Sequence, residues 1–160
     1  MLSLSHLKRL SSVVLDDRGD KSREAFAWML RRLPRLTDLS MMYNPTPELW
    51  REVSAVGGHK ILRRLAIYYE SQPLASLDAF VSSCNSNFPS LEHFELHLED
   101  MECTFEEMAH SLAGLKSHKS LSTLKCSLEH AFGYSAVELG SLQAALGEHI
   151  KVTEIPLFSF

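Results

Sequence analysis

The chain contains 160 residues, of which 45% are hydrophobic and 22% are charged. Its length allows one domain or a segment of a larger one, and its composition excludes intrinsic disorder and collagen-like structure. Sixteen Lys and Arg against 20 Asp and Glu give a net charge of −4, which argues against nucleic acid as the main partner because phosphate-binding domains usually carry a basic surface.

One short pattern recurs along the chain: an aliphatic residue, two mostly polar positions, an apolar residue, one variable position and a second apolar residue. Its six copies begin at Leu10, Leu36, Leu62, Leu91, Leu121 and Val152. The differences between successive starting numbers are therefore 26, 26, 29, 30 and 31. Because the alternation within each copy is that of a strand with one buried face, we expect six strands with these six positions stacked in register.

Five helices are predicted between the strands, from apolar residues spaced three and four apart. The first covers Ser22–Leu33, and the second covers Pro47–Val56, whose proline suits a first helical turn. The third begins near Ser76. Thr104, followed three residues later by Glu107, predicts a capping box at the start of the fourth, and the fifth precedes the last strand.

A strand–helix unit of this length cannot bury its apolar face alone, whereas stacked units share one core between a parallel sheet and a row of helices. We therefore expect residues 1–160 to form a single α/β solenoid, with the sheet on its concave face and the helices on its convex face. Residues 7–10 align with residues 33–36, and the chain ends on a predicted strand that carries Phe158 and Phe160. Because neither end has a polar capping repeat, we expect a fragment or uncapped segment of a longer solenoid.

These repeats resemble the leucine-rich repeat family, and the intervals between them resemble those of its ribonuclease-inhibitor-like or F-box-associated types. The best single match is residues 36–44, LTDLSMMYN, in which Asn44 occupies the family's asparagine-ladder position. The resemblance covers essentially the whole chain. It implies a horseshoe arc, but it does not identify a function.

The strand residues that alternate with the buried ones are expected to point into the concave face. From these we select as partner-binding residues Asp38, Met42, Arg64, Tyr68, His93, Glu95, His97, Lys125 and Phe158. Strands about 4.8 Å apart make six rows roughly 25 Å wide, which is the size of a protein or peptide site. Tyr, Met and Arg are also typical of protein interfaces, although a solvated face without a partner explains the same residues.

The strongest indication of chemistry is the segment that contains His93, Glu95 and His97 on one strand face, as in a metal site or an acid–base pair. Residues four apart on a strand are separated by about 13 Å, which is too far for the two histidines to share one ion. The sequence also lacks a P-loop and a dinucleotide-binding glycine motif. We therefore predict no enzymatic activity and no catalytic, cofactor-binding or metal-binding residue.

The leading functional hypothesis is a non-enzymatic module that presents the concave face to a protein partner, as in an F-box-type adaptor or an immune receptor. One alternative is a structural subunit of a large assembly, held through its open ends and convex helices. A remote alternative is an enzyme activator such as a GTPase-activating repeat protein. Phe158 and Phe160, on an open sheet edge, predict self-association or missing repeats there.

Cys84, Cys103 and Cys126 form no CxxC pair, which favours buried thiols in a reducing compartment over redox or metal sites. No apolar run reaches the roughly 20 residues of a membrane-spanning helix. We therefore predict an intracellular protein, cytoplasmic or nuclear. Residues 1–12 are basic and free of acid, as in a short transit peptide, but they also fit the repeat, and we favour that interpretation.

Overall fold

The computed structural model describes residues 12–15, 26, 29–42, 45–70, 74–99, 102–127 and 136–155, with residues 12–15, 70 and 136 described by their backbone alone. Within these ranges, six strands form one sheet in sequence order, and each neighbouring pair is parallel. The strands are β1 (Ser12–Leu15), β2 (Asp38–Met41), β3 (Arg64–Glu70), β4 (His93–Glu99), β5 (Thr123–Ser127) and β6 (Lys151–Glu154). The predicted α/β class with a parallel sheet is confirmed.

Helices occupy the connections between consecutive strands, as parallel pairing requires. In the described residues these are α1 (Pro47–Ala55), α2 (Leu74–Asn87), α3 (Phe105–Leu112), which a 3-10 turn at Ala113–Ser117 follows, and α4 (Ala136–Leu146). Residues 26 and 29–32 are also helical and lie where the first helix is predicted. None of the helices in the described ranges is long and apolar enough to cross a membrane.

Local sequence signals fix the ends of several helices. Thr46 caps α1 by accepting a hydrogen bond from the backbone N–H of Leu49. The predicted capping box of α3 is confirmed: the Thr104 hydroxyl accepts a bond from the Glu107 backbone N–H, and the Glu107 carboxylate accepts one from the Thr104 N–H at 2.8 Å. The bond from the Thr104 N–H, together with one that the Thr104 hydroxyl donates to the same carboxylate, lowers the pKa of Glu107. Gly147 follows α4 with a φ of +83°, a conformation that favours glycine after a helix.

The strand register confirms four of the five predicted intervals. From β1 to β5, the residues paired across neighbouring strands include Ser12, Asp38, Arg64, His93 and Thr123. The intervals between these residues equal the intervals between the first five repeat copies. The first leucines of four units, Leu36, Leu62, Leu91 and Leu121, are at most 1% exposed. Leu10 and the ladder position Asn44 lie outside the described residues.

The fifth predicted interval is wrong. Val152 pairs with Leu124, whereas the predicted interval would align it with Leu121. The cause is the Gln143 side chain, which accepts a hydrogen bond from the Val152 N–H and donates to the carbonyl oxygens of Gly147 and Ile150, all at 2.8 Å. These bonds fix the chain after α4 so that β6 begins at residue 151.

The buried strand residues and the helices share one core. On the strands this core includes Leu39, Met41, Leu65, Ile67, Phe94, Leu96, Leu124 and Cys126. The Phe80 ring of α2 lies 4.8 Å from the Phe94 ring of β4 and 4.9 Å from the Trp50 ring of α1, measured between centroids. This aromatic group joins two helices to the centre of the sheet, where each large buried side chain contributes about 1.5–3 kcal/mol.

All three cysteines are free thiols, and two of them belong to the core. Cys84 and Cys126 are buried, whereas Cys103 is partly exposed. Burial raises the pKa of Cys84 to about 12 and also raises that of Cys126. Both thiols therefore stay protonated at neutral pH and pack as small hydrophobic groups.

Two buried histidines link consecutive units at equivalent positions. His59 Nε2 donates to the Leu33 carbonyl oxygen at 2.9 Å, and His118 Nε2 donates to the Phe88 carbonyl oxygen at 3.0 Å. In His118 the second nitrogen, Nδ1, accepts a bond from the Leu121 N–H at 3.2 Å. Both nitrogens of this ring are therefore used in its neutral form, and burial lowers its pKa despite the opposing effect of the bond to Phe88.

Replacing Leu65 with Ala is expected to lower the free energy of unfolding by about 2–5 kcal/mol, because a buried side chain is removed and a cavity is left. Leu65 is 1% exposed, whereas Val137 on α4 is 76% exposed. Val137→Ala is the control and is expected to change stability by less than about 0.5 kcal/mol. Chemical denaturation followed by circular dichroism measures both, and equal effects would contradict the assigned core.

Stability is expected to fall in mild acid because of His118. Its folded-state pKa is lowered, so the unfolded chain binds the proton more tightly. The free energy of unfolding should therefore decrease as the pH falls below about 6.5, until the folded-state pKa is reached. Denaturation at several pH values tests this: His118→Gln should reduce the slope, and His110→Gln, on the exposed end of α3, should not. An unchanged slope in His118→Gln would refute the assignment.

Candidate functional site

The strand side chains that alternate with the core residues form a second, polar face of the sheet, here called the open face. Its described members on β2–β5 are Asp38, Ser40, Arg64, Ala66, Tyr68, His93, Glu95, His97, Glu99, Thr123, Lys125 and Ser127. Seven of the nine predicted partner-binding residues lie here. Met42 follows the end of β2 and is half-buried, and Phe158 lies outside the described residues.

Register brings the open-face residues into rows that run across the strands. The first row is Asp38, Arg64, His93 and Thr123, the middle row is Ser40, Ala66, Glu95 and Lys125, and the third is Tyr68, His97 and Ser127. The middle row has short side chains on β2 and β3. A groove of about 540 Å³ lies over the first two rows, with Leu39, Leu65 and Phe94 also in its lining. Its volume is within the range of ligand pockets.

Two ion pairs cross from strand to strand in this groove. Arg64 Nε lies 3.6 Å from Asp38 Oδ1, and Lys125 Nζ lies 4.0 Å from Glu95 Oε2. Because their side chains are more than one-third exposed, each pair contributes at most about 1 kcal/mol to stability. A partner with complementary charges can therefore replace either pair at little cost.

A stacked pair of rings occupies the third row. The Tyr68 and His97 ring centroids are 3.9 Å apart, and the ring planes are within 7° of parallel. His97 Nε2 also donates a hydrogen bond to Glu95 Oε1 at 2.8 Å. We call this unit the Tyr68–His97 platform. The two stacked rings lie beside the groove, and Glu95 is hydrogen-bonded to one of them.

Burial and Glu95 shift the pKa of His97 in opposite directions, whereas they shift the pKa of Tyr68 in the same direction. Burial lowers the pKa of His97 below its ordinary value, although the hydrogen bond and the charge of Glu95 oppose this shift. Burial raises the pKa of Tyr68, and the charge of Glu95 raises it further. At neutral pH both rings are therefore uncharged, and the platform is aromatic and polar at its edges.

The predicted alignment of His93, Glu95 and His97 on one face is observed, but these residues do not converge on a point. Glu95 contacts His97 and Lys125, and the His97 ring stacks on Tyr68. Among the residues that the structure describes, no group of three or more His, Cys, Asp or Glu side chains is arranged to hold a metal ion. These contacts join neighbouring side chains in pairs along and across the strands.

Sequence reasoning identified the residues of the open face but missed the contacts between them. A usable signal was present in the repeat intervals. Tyr68 and His97 are separated by the same interval as Leu62 and Leu91, so the repeat alone places the two rings on neighbouring strands. The same reasoning would have paired Asp38 with Arg64.

Comparison with known proteins assigns no family: no protein-family model matches the chain, and no curated protein matches it. The resemblance to leucine-rich repeats therefore stays a prediction.

Glu95→Gln is expected to lower the pKa of both platform rings. The carboxylate stabilises protonated His97, so its loss lowers the pKa of His97. It also destabilises ionised Tyr68, so its loss lowers the pKa of Tyr68 as well. NMR titration of the His97 ring protons and ultraviolet titration of Tyr68 measure the two shifts. Glu92→Gln, a half-buried carboxylate before β4, is the control. Values that stay unchanged in Glu95→Gln would show that Glu95 does not hold the platform.

Proposed function

We propose that the chain is a leucine-rich-repeat solenoid that binds a protein partner on its open face and catalyses no reaction. The solenoid is supported by the sheet order, in which each strand pairs only with its sequence neighbours within the described residues. It is also supported by the intervals between paired residues of consecutive strands, each of which contains one strand and one helical connection. In such an arc the open face is the concave surface.

The observation that carries the binding proposal is the Tyr68–His97 platform beside the groove. Aromatic side chains held in one orientation are typical centres of binding energy in protein interfaces. The stack and the Glu95 bond restrict both side chains before a partner arrives, which reduces the entropy lost on binding.

The groove supplies specificity around this platform. Arg64 and Lys125 alternate with Asp38 and Glu95 across four strands, so a partner must present charges in a matching order. Four strands at about 4.8 Å spacing span roughly 15 Å, a width that suits an extended peptide segment or a loop. The free, largely buried thiols favour a partner in a reducing, intracellular compartment.

Site-specific photo-crosslinking tests the proposal. A benzophenone amino acid at Thr123, on the open face, is expected to crosslink one partner protein in cells of the source organism. The same group at Val137, which is 76% exposed on α4, is the control for the helical side. Crosslinks at Val137 alone would favour the alternative of a structural subunit held through its convex helices.

The partner identified at Thr123 then allows a quantitative test with purified proteins. Tyr68→Ala with Arg64→Ala is expected to weaken its binding by about tenfold or more, which corresponds to about 1.4 kcal/mol. Circular dichroism and the melting temperature should stay close to those of the unmodified chain, since both side chains lie on the polar face. Ser82→Ala, on the exposed side of α2, is the matched control. Unchanged affinity in the double variant would refute binding at the open face.

A further inference from the structure

Among the described residues, Lys and Arg are concentrated in the segments that lead into the strands. Five segments lead from a helical region into β2–β6: residues 33–38, 56–64, 88–93, 113–123 and 147–151. They carry seven of the 11 Lys and Arg in the described residues but three of the 14 Asp and Glu. Because the strands are parallel, all five segments lie on the side of the sheet where the strands begin. We call this side, at the N-terminal ends of the strands, the basic edge. A chain of net charge −4 thus has one edge of opposite sign.

An exposed isoleucine lies within this edge. Ile61 is 43% exposed, and it follows Lys60 and precedes Arg63 and Arg64 by two and three residues. Ile61 thus places one exposed apolar side chain among several cations.

In the two units that follow, the residue at the position equivalent to Ile61 has a structural role. The equivalent residues one and two units later are Ser90 and Ser120, each directly before the first leucine of its unit. Ser90 Oγ donates to the Lys60 carbonyl oxygen at 2.6 Å, and Ser120 Oγ donates to the Pro89 carbonyl oxygen at 2.8 Å. Each serine thus links its unit to the preceding one. An isoleucine makes no such bond, so its side chain adds only apolar surface.

Two surface depressions meet at Ile61. One, of about 520 Å³, is lined by Thr37, Asp38, Ile61, Arg63, Arg64, Glu92 and His93. The other, of about 210 Å³, is lined by Ile61, Arg63, Ser90, Glu92 and Ser120. Ile61 and Arg63 border both. Arg63 Nε lies 3.7 Å from Glu92 Oε1, and both side chains are more than one-third exposed, so a carboxylate from a partner can replace Glu92 at little cost.

We propose that the basic edge binds an acidic peptide segment that carries one large apolar side chain. The apolar side chain would pack on Ile61, and flanking carboxylates would pair with Arg63 and Arg64. Arginine suits this role because its planar guanidinium matches a carboxylate with two parallel hydrogen bonds. Nucleic acid fits less well, because a phosphate backbone gains nothing from an isoleucine at the centre of the site. The platform residues Tyr68 and His97 do not take part. Arg64 borders both sites, so variants of Ile61 and Arg63, which lie outside the open face, distinguish this proposal from the open-face proposal.

Fluorescence anisotropy with the purified full chain tests the proposal. The probe is a short fluorescein-labelled peptide of Glu and Asp with one central Leu. A second peptide has Gly in place of that Leu, and oligo-dT of equal length represents a polyanion without apolar groups. The unmodified chain is expected to bind the Leu peptide about tenfold more tightly than either comparison probe.

Three variants assign the effect to the basic edge. Ile61→Ser copies the residue of the equivalent positions and should weaken the Leu peptide about tenfold, to the level of the Gly peptide. Arg63→Glu should also weaken it by about tenfold or more. Arg51→Glu changes the net charge equally at an exposed position of α1, and it should stay within about twofold of the unmodified chain. Circular dichroism confirms that each variant is folded.

Four results would overturn the proposal. The first is no saturable binding of the Leu peptide. The second is equal affinity of the unmodified chain for the Gly peptide, or unchanged affinity of Ile61→Ser for the Leu peptide. Either result would show that the site recognises charge alone. The third is equal affinity for oligo-dT, which would assign the edge to polyanions. The fourth is a dimer, detected by sedimentation, that Arg63→Glu dissociates and the peptide does not, which would make a second copy of the chain the occupant.

Discussion

Parallel pairing between each strand and the next one in sequence determines the rest of this structure. Where the chain leads into a strand, one carbonyl oxygen accepts two N–H groups from the following unit. Thr37 accepts bonds from Arg63 and Arg64, and Arg63 accepts bonds from Glu92 and His93, at 2.8–2.9 Å. Because unpaired buried backbone groups are costly, these bonds hold each unit in one register against its neighbour. That register decides which side chains meet on the open face and which ones border the basic edge.

The order and pairing of the strands could be predicted from the sequence because each unit buries the same positions. The apolar period located Leu36, Leu62, Leu91 and Leu121 correctly. It failed at the last strand, where residues 152–157 also match the apolar pattern. There the register depends on the hydrogen bonds of Gln143 to the backbone around Val152. A single polar side chain in a helix contributes nothing to an apolar period, so the pattern could not reveal it.

The open face was predictable as a set of residues, but its internal contacts were not. Alternation along the strands assigns Tyr68, Glu95 and His97 to the polar side, and the repeat interval places Tyr68 next to His97. The near-parallel stack and the bond from His97 to Glu95 depend on side-chain rotamers, which a period of two does not specify. Ile61 was missed for another reason: it precedes the strand, where the serines of other units form hydrogen bonds, and its exposure follows from the loop geometry.

The separation of charge changes what the composition implies about partners. A net charge of −4 argues against a phosphate-binding protein only when charges are spread evenly, and among the described residues Lys and Arg concentrate at the basic edge. Such an edge attracts acidic segments at a distance and orients them, although the whole chain repels them. Arg64 borders both this edge and the groove of the open face. The two surfaces therefore meet at Arg64, whose side chain pairs with Asp38 on the neighbouring strand.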